Sequence, residues 1–481
     1  METHASQVSY AIKEDVAPRY RFSKITSRNI PTGEILSVSS AQRELLFELP
    51  SMTPYNLKRS RLVYTLNVGS QYQPSSGGNP AVNNSSWIAD DVFQLSSNVE
   101  LYDPEGLQLV NDSYAQKRSK IMSKLSTSDE KFREGDVLEI NQMSNTTALK
   151  NPLVAFTPTA LHQFRIPVAI KEDAFNNYNE VKHFDISPVS TGPGTGSQVI
   201  YKSLELGNLS NTLFSQDKDI MTGKNLFFKI MTPTINQFGF ASTQVDSSSN
   251  SITLLDQSVS VYDIHLQLAV EDNKILAKSV MEKFNSGSLS LRTDTILATK
   301  SPIISQTPTI SINIPASKNA KLKRIVNCVY NGNEIGVSNF DTNNFNGMKI
   351  SNYQTFIGQD NLQYSKRTCL LSDGTKVNSE DYLENKRFLS GSVYQNHQHY
   401  VYDWFHCDDF ASLDISKDRD NTGHDLKSRE QDTHAGLDLT CDIMYKIEAT
   451  TTATQANPLT LYSFAVISRV LALAPQGNGF V

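Results

Sequence analysis

The sequence has no long hydrophobic run. No stretch approaches the roughly 18 consecutive apolar residues that a membrane-spanning helix needs. The first residues, METHASQVSYAIKEDVA, also lack the basic and then apolar order of a secretory signal peptide. We therefore expect neither a transmembrane helix nor a signal peptide.

Cysteine is scarce. The chain has four cysteines, and all of them lie in its last third without any Cys-x-x-Cys pair: Cys328, Cys369, Cys407 and Cys441. This count excludes a disulfide-dense secreted scaffold. The pattern predicts four reduced thiols, most of them buried.

The chain also lacks a basic region. Its 44 Lys and Arg residues and 50 Asp and Glu residues give a formal net charge of −6. The basic residues near the N-terminus, between Lys13 and Arg28, are scattered and partly offset by acidic neighbours. Because nucleic-acid binders usually show a basic stripe or arm, we expect no direct sequence-specific nucleic-acid binding.

What remains is a long, polar and structured chain. With 481 residues it can bury a sizeable core. Hydrophobic residues are 38% and charged residues 20%, both below the usual averages, so uncharged polar residues make up the difference. The 19 tyrosines and 22 phenylalanines argue against intrinsic disorder.

Short segments with alternating apolar residues dominate the sequence. Leu45, Phe47 and Leu49 fall on one face of a strand, as do the isoleucines of TISINIP. Helical patterns are rare, and the best are Ser113–Leu125 and Asn273–Phe284, the latter with an apolar stripe that starts at Ile275. Strands are predicted at Glu34–Val38, Arg43–Leu49, Arg61–Val68, Val99–Tyr102, Gln163–Ile170, Leu226–Met231, Val259–Ala269, Thr309–Ile314, Arg324–Tyr330, Tyr400–Phe405, Asp442–Glu448 and Leu459–Leu473. A chain with many short strands and few helices is predicted to form β-sandwiches.

The two halves of the chain share a weak repeat. In LLFELPSMTPYNLKR and TISINIPASKNAKLKR, an alternating strand ends at a proline and Leu-Lys-Arg follows after the same number of residues. Pro50 and Pro315 are 265 positions apart, as are Leu57 and Leu322. The spacing predicts that the two prolines end equivalent strands and that the turns after them lie at matching ends of two sandwiches.

Two further matches occur in the same order. Leu101–Leu109 resembles Phe356–Tyr364, and Val261–Leu266 resembles Leu461–Val466. The separation of the matches shrinks along the chain, which indicates longer insertions in the first copy. Copies as long as these separations, which reach 265 residues, suit tandem β-sandwich domains. The boundary between them would lie near the NSGSL segment.

The tandem arrangement and the C-terminal segment resemble double jelly-roll major capsid proteins, the lineage of adenovirus hexon and related DNA-virus capsids. The segment Leu461–Val481, LYSFAVISRVLALAPQGNGFV, is similar to the closing strand of those proteins. There an aromatic and apolar strand ends in a hydrophobic run and is followed by a tail that contains glycine.

The resemblance implies an all-β fold of two tandem eight-stranded jelly-roll β-sandwiches with a few short helices and long polar loops. Residues 1–285 would form the first jelly roll with its loop insertions, and residues 286–481 the second. The implied function is a structural major capsid protein that forms trimeric pseudo-hexagonal capsomers in an icosahedral virion shell. It would be made in the host cytoplasm. Its partners would be further copies, neighbouring capsomers, and penton and minor capsid proteins, with an internal membrane or a host receptor as further candidates.

Candidate ligand residues are concentrated in one region. Two histidines, His397 and His399, would point to one face of a strand, a spacing that metal sites use, but no HExxH or CxxC motif accompanies them. The loop Asp418–Gly423 begins like an EF-hand, but its twelfth position is Arg429 instead of glutamate. The region also contains His406, Cys407, Asp408, Asp409, His424, Asp425 and His434. We interpret these residues as strand and loop residues, and expect no metal, cofactor or catalytic site.

No other motif indicates catalysis. The segment Gly192–Gly196 is rich in glycine, but no Gly-Lys-Ser/Thr follows, and the sequence has no Gly-x-Ser-x-Gly motif. The acidic pairs Asp90-Asp91 and Asp408-Asp409 are adjacent in sequence, so strand geometry would point their side chains to opposite faces.

Three alternatives to the capsid hypothesis stay open at this point. One is a β-rich binding protein such as a viral spike, fibre or adhesin, without two equivalent sandwiches. Another is a β-sandwich enzyme that uses the histidine and aspartate cluster. The third is a single jelly-roll capsid protein with a projecting domain.

Overall fold

The computed structural model describes fifteen stretches of the chain. They are residues 18–30, 34–38, 41–73, 86–88, 95–118, 195–234, 240–242, 253–303, 309–316, 319–331, 350–358, 362–369, 405–409, 437–449 and 459–480. Within them, no helix is long and apolar enough to cross a membrane.

The first half forms two facing antiparallel sheets. One sheet has the order β1 (Tyr20–Thr26), β12 (Thr253–Glu271), β4 (Tyr55–Gln73), β8 (Thr195–Glu205), with β2 (Leu36–Val38) on β12 and β9 (Asp219–Ile220) on β4. The other has the order β3 (Glu44–Leu49), β10 (Leu226–Met231), β6 (Asn98–Tyr102), β7 (Gln108–Ser113). A separate pair joins β5 (Ser86–Ile88) and β11 (Phe240–Ser242).

The second half repeats this arrangement. One sheet has the order β13 (Leu289–Ile303), β21 (Leu459–Ala474), β15 (Lys321–Asn331), β18 (Phe405–Asp409), with β19 (Leu437–Asp438) on β15 and β22 (Gly477–Phe480) on β21. The other has the order β14 (Thr309–Ile314), β20 (Ile443–Ala449), β16 (Ile350–Ile357), β17 (Leu362–Thr368).

The two halves have identical strand order. If the eight main strands of each half are counted along the chain, one sheet reads 1-8-3-6 and the other 2-7-4-5 in both halves. This exchange of successive strands between two facing sheets is the jelly-roll topology. The predicted pair of eight-stranded jelly rolls is therefore confirmed.

All three sequence matches fall on equivalent strands. The prolines Pro50 and Pro315 follow β3 and β14, the second main strand of each sandwich, and the Leu-Lys-Arg segments lie in β4 and β15, the third. The second match spans the turns β6–β7 and β16–β17, and the third lies in the eighth strands, β12 and β21. The repeat in the sequence thus corresponds to a repeat in the fold.

The alternating apolar residues fill the first core as predicted. Leu45, Phe47 and Leu49 on β3 are completely buried. The ring of Phe47 stacks on Phe228 of β10, with centroids 5.9 Å apart, and Phe214 meets Phe228 edge to face at 5.2 Å. Such aromatic contacts add to the stabilisation from burial alone.

The second core follows the same rule. The isoleucines of β14 face inward against Ile443, Tyr445 and Ile447 of β20. The ring of Tyr445 lies 5.6 Å from that of Tyr353 on β16. Strict alternation along β14 and β20 therefore reflects sheets with one buried face.

The turns after the two prolines are closed by the same kind of hydrogen bond, from a backbone N–H group to a side-chain oxygen. In the first sandwich, the backbone N–H of Ser51 donates to the side chain of Asn225 at 2.9 Å. In the second, the N–H of Ala316 donates to the side chain of Asp442 at 2.6 Å. Ser51 and Ala316 each follow the proline, while Asn225 and Asp442 each precede the seventh strand of their sandwich. The predicted matching ends are confirmed by these equivalent hydrogen bonds.

The single long helix described, α1 (Lys274–Asn285), joins the sandwiches. Asn273 caps it by accepting a hydrogen bond from the N–H of Ile275 at 3.0 Å. Phe284 is buried as expected, but the predicted apolar stripe is wrong at Ile275, whose side chain is 58% exposed. The helix covers the end of the sandwiches and buries little more than its last turn. The other predicted helix, Ser113–Leu125, is helical at residues 115–118, beyond which the chain is not described.

The two ends of each sandwich carry different connections. At one end, here called the short-turn end, the first sandwich has the turns 50–54 and 103–107, and the second has the connections 315–320 and 358–361. The longer connections 206–225 and 410–442 also begin and end there. The chain leaves the opposite end for the segments 74–97, 114–194, 232–252, 332–349, 369–404 and 450–458. Because α1 joins the short-turn end of β12 to that of β13, the two sandwiches point in the same direction.

Most predicted strands are present with small shifts in their bounds. Leu226–Met231 and Thr309–Ile314 match to the residue. The predicted strand Gln163–Ile170 lies outside the described residues, and of Tyr400–Phe405 only Phe405 is described, at the start of β18.

Removal of either turn-closing side chain is expected to destabilise the protein similarly. Asn225→Ala and Asp442→Ala each remove the acceptor of one turn N–H, so each should cost about 1 kcal/mol of unfolding free energy. Urea denaturation followed by circular dichroism measures the effect. The control is Asn111→Ala, because Asn111 is exposed on β7. A loss in only one of the two variants would contradict their equivalence.

Candidate functional site

The histidine and aspartate cluster is only partly described. His397, His399, His424, Asp425, His434 and the loop Asp418–Gly423 lie outside the described residues, as do Asp90 and Asp91. His406, Cys407, Asp408 and Asp409 belong to β18, where Asp409 is in register with Arg324 and Asp408 with Ile325. Within the described stretches, no three His, Cys, Asp or Glu side chains converge as a metal site would require.

The cysteines that the structure describes fit a structural role. Cys328, Cys369 and Cys407 are buried, Cys441 is half-buried, and all are free thiols. Burial raises the pKa of Cys328 well above its usual value, which disfavours the reactive thiolate. The carbonyl oxygen of Cys407 accepts hydrogen bonds from Tyr353 Oη at 2.9 Å and from Arg367 at 3.0 Å. Cys407 is therefore a buried strand residue whose backbone is bound to Tyr353 of the second core.

The glycine-rich segment Gly192–Gly196 does not lead into a helix. Strand β8 begins at Thr195, so the segment lacks the helix N-terminus on which a phosphate loop depends. The neighbouring motif Gly223-Lys224 has a packing role. A Cβ atom on Gly223 would lie 3.0 Å from the carbonyl oxygen of Pro475, so a larger residue would have to push this backbone away by a few tenths of an ångström.

The most extensive polar arrangement lies between the two sandwiches, in a contact here called the seam. At the short-turn end, Asn478 of the second sandwich donates to Asp103 of the first at 3.4 Å, next to the ion pair that Lys224 and Glu105 form within the first sandwich. The carboxylate of Asp103 also accepts the N–H groups of Glu105 and Leu107 at 3.0 and 2.9 Å. The turn 103–107 is thereby held against the hairpin that β21 and β22 form.

A buried ion pair lies in the middle of the seam. Lys323 Nζ of β15 lies 2.8 Å from Asp294 Oδ1 of β13, and their side chains are only 10% and 9% exposed. Asn211 of the first sandwich donates to the other oxygen of Asp294 at 3.4 Å. The pair therefore connects the first sheet of the second sandwich to the connection between β8 and β10.

A second buried ion pair supports the same connection. Arg118 and Asp112 are both fully buried, and Arg118 Nε lies 2.9 Å from both carboxylate oxygens. The guanidinium also donates to the carbonyl oxygen of Ser210 at 2.7 Å. Arg118 thus fixes the backbone next to Asn211, the residue that reaches the second sandwich.

Aromatic contacts close the seam toward the other end. The ring of Tyr114, which has a positive φ of 65°, meets Tyr462 of β21 edge to face at 5.1 Å. The ammonium groups of Lys117 and Lys300 lie 5.2 and 5.8 Å from the centre of the Tyr462 ring. The seam therefore follows the height of the sandwiches from Pro475 to Tyr462.

The apolar residues of the seam join the two cores. Leu289 and Leu291 of β13 and Leu471 and Leu473 of β21 pack into the core of the first sandwich. Burial of each such leucine stabilises the fold by roughly 1.5–3 kcal/mol. Because the hydrogen bonds Asn211–Asp294 and Asn478–Asp103 and the Tyr114–Tyr462 contact all cross the seam, it holds the sandwiches in one orientation.

Sequence reasoning did not find the seam. Its charged residues are far apart in the chain, and no motif links Asp112, Asp294 and Lys323. The one local signal is Asp294 in the segment LSLRTDTIL, where an acidic residue interrupts a strand-like pattern.

Comparison with known proteins places this geometry among virus structures. No protein-family model matches the sequence, and no curated protein does. A chain in the cryo-EM structure of the Sputnik virophage is 12% identical, with a TM-score of 0.52 over 97% of this chain and 88% of that one. The Faustovirus major capsid protein is 8% identical with a TM-score of 0.47 over 95% of this chain and 91% of that one. The mavirus major capsid protein is 11% identical with a TM-score of 0.43 over 95% and 92%.

The strand order and the likeness to the virophage chain define the class of fold. Two jelly rolls of identical topology stand side by side and point in the same direction, which is a double jelly roll. The resemblance drawn from the sequence is confirmed for the fold.

Loss of one member of the buried ion pair should be severe. Asp294→Ala leaves the Lys323 ammonium buried without its counter-charge, so the free energy of unfolding should fall by about 3–5 kcal/mol. The double variant Asp294→Leu with Lys323→Met removes both charges and should recover most of that loss. Urea denaturation of the three proteins measures both effects.

The matched control is an exposed pair. Lys278 and Glu282 on α1 are 77% and 68% exposed, so Lys278→Ala should cost less than about 0.5 kcal/mol. An Asp294→Ala variant as stable as this control would contradict the assigned role of the buried ion pair.

Proposed function

We propose that the chain is a major capsid protein, which forms trimeric pseudo-hexagonal capsomers in the icosahedral shell of a DNA virus. The observation that carries this proposal is the pair of jelly rolls with identical strand order, set side by side and pointing in the same direction. The likeness to a chain of the Sputnik virophage structure supports it.

The symmetry argument starts from the duplication. Oligomers of one chain usually close around a rotation axis. A trimer of this chain would set six similar sandwiches around a threefold axis and so present a near-hexagonal outline. Hexagonal outlines tile a shell, and two equivalent sandwiches on one chain provide that outline with three subunits.

The difference between the two ends supports the same proposal. The longest polar segment, 114–194, departs from one end together with 74–97, whereas the other end carries the short turns and the connections 206–225 and 410–442. In a shell, one end of each sandwich faces outward and the other faces inward. The end with the long connections suits the outer surface, because loops tolerate variation and carry recognition.

The proposed role is structural, without catalysis or a cofactor. The described cysteines are buried in or beside the cores, and the glycine-rich segment leads into a strand. The net charge of −6 fits a shell protein that leaves genome condensation to other components. Its place would be the virion after synthesis in the host cytoplasm. Its partners would be neighbouring capsomers, penton proteins and minor capsid proteins.

We also propose that the two jelly rolls divide at residue 285. The strands from β1 to β12 pair only with one another among the described residues, and so do those from β13 to β22. The helix α1 ends at Asn285 and β13 begins at Leu289. A division within this link would separate the two sets of strands without cutting a sheet.

Solution mass and particle shape test the proposed function. Light scattering of the purified chain should give about 161 kDa, three times 53.6 kDa, and negative-stain images should show a pseudo-hexagonal outline. A stable monomer over the whole concentration range would contradict the capsomer proposal. It would favour a spike, fibre or adhesin role instead.

A further inference from the structure

Two carboxyl groups meet near the short-turn end of the first sandwich. Glu271 ends β12 and is 5% exposed, and Asp219 belongs to β9. Tyr20 of β1 is in register with Glu271 and its hydroxyl donates to Asp219 at 3.0 Å, and a side-chain hydrogen bond with Glu271 raises the pKa of Asp219. A hydrogen bond between two carboxyl groups requires a proton on one of them, because two carboxylates offer only acceptors.

The Glu271 carboxylate connects three segments. Its Oε1 atom accepts the backbone N–H of Arg19 at 3.0 Å and that of Asn273 at 2.7 Å. Arg19 directly precedes β1, and Asn273 caps α1. Its Oε2 atom receives no hydrogen bond from a described N–H or O–H group. A carboxyl proton shared with Asp219 would supply the missing hydrogen bond to that oxygen.

Asp219 is held in place by neutral groups. The hydroxyl of Tyr20 donates to Asp219 Oδ1 at 3.0 Å, and the amide of Asn56 donates to the same oxygen at 3.3 Å. Burial, and to a smaller extent the adjacent Glu271, raise the pKa of Asp219 to about 6 against the lowering effect of these two hydrogen bonds. Burial and Asp219 also raise the pKa of Tyr20, so this hydroxyl stays neutral at physiological pH.

We propose that Asp219 and Glu271 form a binding site for one proton, which fastens the start of β1 and the start of α1 to the end of β12. With the proton present, the two carboxyls attract each other and Glu271 keeps both N–H groups. Without it, two negative charges repel each other at a buried position, and the contacts to Arg19 and Asn273 weaken.

Other charged groups lie near the site. Arg59 of β4 binds Asp217 at 2.8 Å, and this contact lowers the pKa of Asp217 and raises that of Arg59. Lys58 lies 3.8 Å from the same carboxylate. At the helix, Asp272 and Lys274 are exposed to solvent.

His265 is the titratable group to be separated from the carboxyl pair. It lies on β12 opposite Thr26, at the far end of β1, and its ring nitrogen contacts the carbonyl oxygen of Asp263 at 2.8 Å. Any effect of His265 is shared by the wild-type chain and by variants at Asp219, so a comparison between them isolates the pair.

The sign of the pH dependence follows from the direction of the shift. A carboxyl whose pKa is higher in the folded than in the unfolded chain stabilises the fold at low pH. That contribution is complete below the unfolded value of 3.8 and is lost as pH rises through about 6. The attachment of β1 should therefore be tighter at about pH 5 than at about pH 7.5.

Hydrogen exchange of the purified full-length chain tests the proposal. Peptides that cover β1 and the start of α1 are compared at about pH 5 and about pH 7.5, with EDTA present and after correction for intrinsic exchange. Exchange of these two segments should be up to about tenfold faster at the higher pH, the factor that a pKa change from 3.8 to about 6 allows.

Two isosteric variants remove the need for the proton. In Asp219→Asn the new amide N–H can donate to Glu271 at any pH, and in Glu271→Gln the reverse holds. Both should keep the slow exchange of the wild type at about pH 5 when they are measured at about pH 7.5. The second variant also covers the case in which the first does not fold.

The matched control is Asp217→Asn, because Asp217 is a nearby carboxylate that pairs with Arg59 and is already ionised. It should retain the pH dependence of the wild type. If Asp219→Asn and Glu271→Gln also retain it, the proposal is wrong. The outcome is independent of the proposed function, since exchange reports on β1 in a single chain and the capsomer test reports on association.

Discussion

The fold depends on a sheet that packs on both of its faces. An antiparallel sheet in a sandwich usually has one buried and one solvated face. Strand β21 departs from this rule, because Leu461 and Ile467 face the second core while residues of the opposite face are buried too, among them Tyr462, which contacts Tyr114 of the first sandwich. Leu471 and Leu473, further along the strand, enter the first core. This is why the C-terminal segment is apolar almost without interruption. One sheet therefore belongs to both cores, and the two jelly rolls are joined by more than a chain connection.

Apolar contact alone would leave the two sandwiches free to slide, because the hydrophobic effect has no preferred direction. The polar groups of the seam supply the direction. The pairs Asp294–Lys323 and Arg118–Asp112 each lie within one sandwich, and Asn211 of the first sandwich donates to Asp294 of the second, so a shift along the seam would break this hydrogen bond beside buried charges. Gly223 adds a steric limit, since a Cβ atom there would lie 3.0 Å from the Pro475 carbonyl oxygen. The seam thus combines affinity from leucines with orientation from polar and steric contacts.

Much of the fold could be predicted from the sequence, because half-buried strands leave a regular pattern. The alternation of apolar and polar residues was sufficient to predict β3, β10, β14 and β20. The three ordered matches located strands that are equivalent in the two sandwiches. The exposed edge strand β1 was missed, since its residues are mostly polar or charged and only its backbone pairing makes it a strand. The seam and the carboxyl pair were missed for another reason. Their residues are brought together by pairings such as β1 with β12, which no local pattern records.

Duplication gives two equivalent sandwiches, but the chain continues differently after the last main strand of each. After β12 it passes through α1 to reach the second sandwich, and there Glu271 contacts both the start of β1 and the cap of the helix. After β21 it turns back as β22. The strand β15 pairs with β21 only as far as Ser468, and β22 pairs with Leu471–Ala474, so the short final strand fills the space that β15 leaves. The same hairpin reaches Asp103 of the first sandwich through Asn478. The equivalence of the two folds is therefore broken at the short-turn end, where the sandwiches are joined, and is kept in the body of the sheets, where the repeat is visible in the sequence.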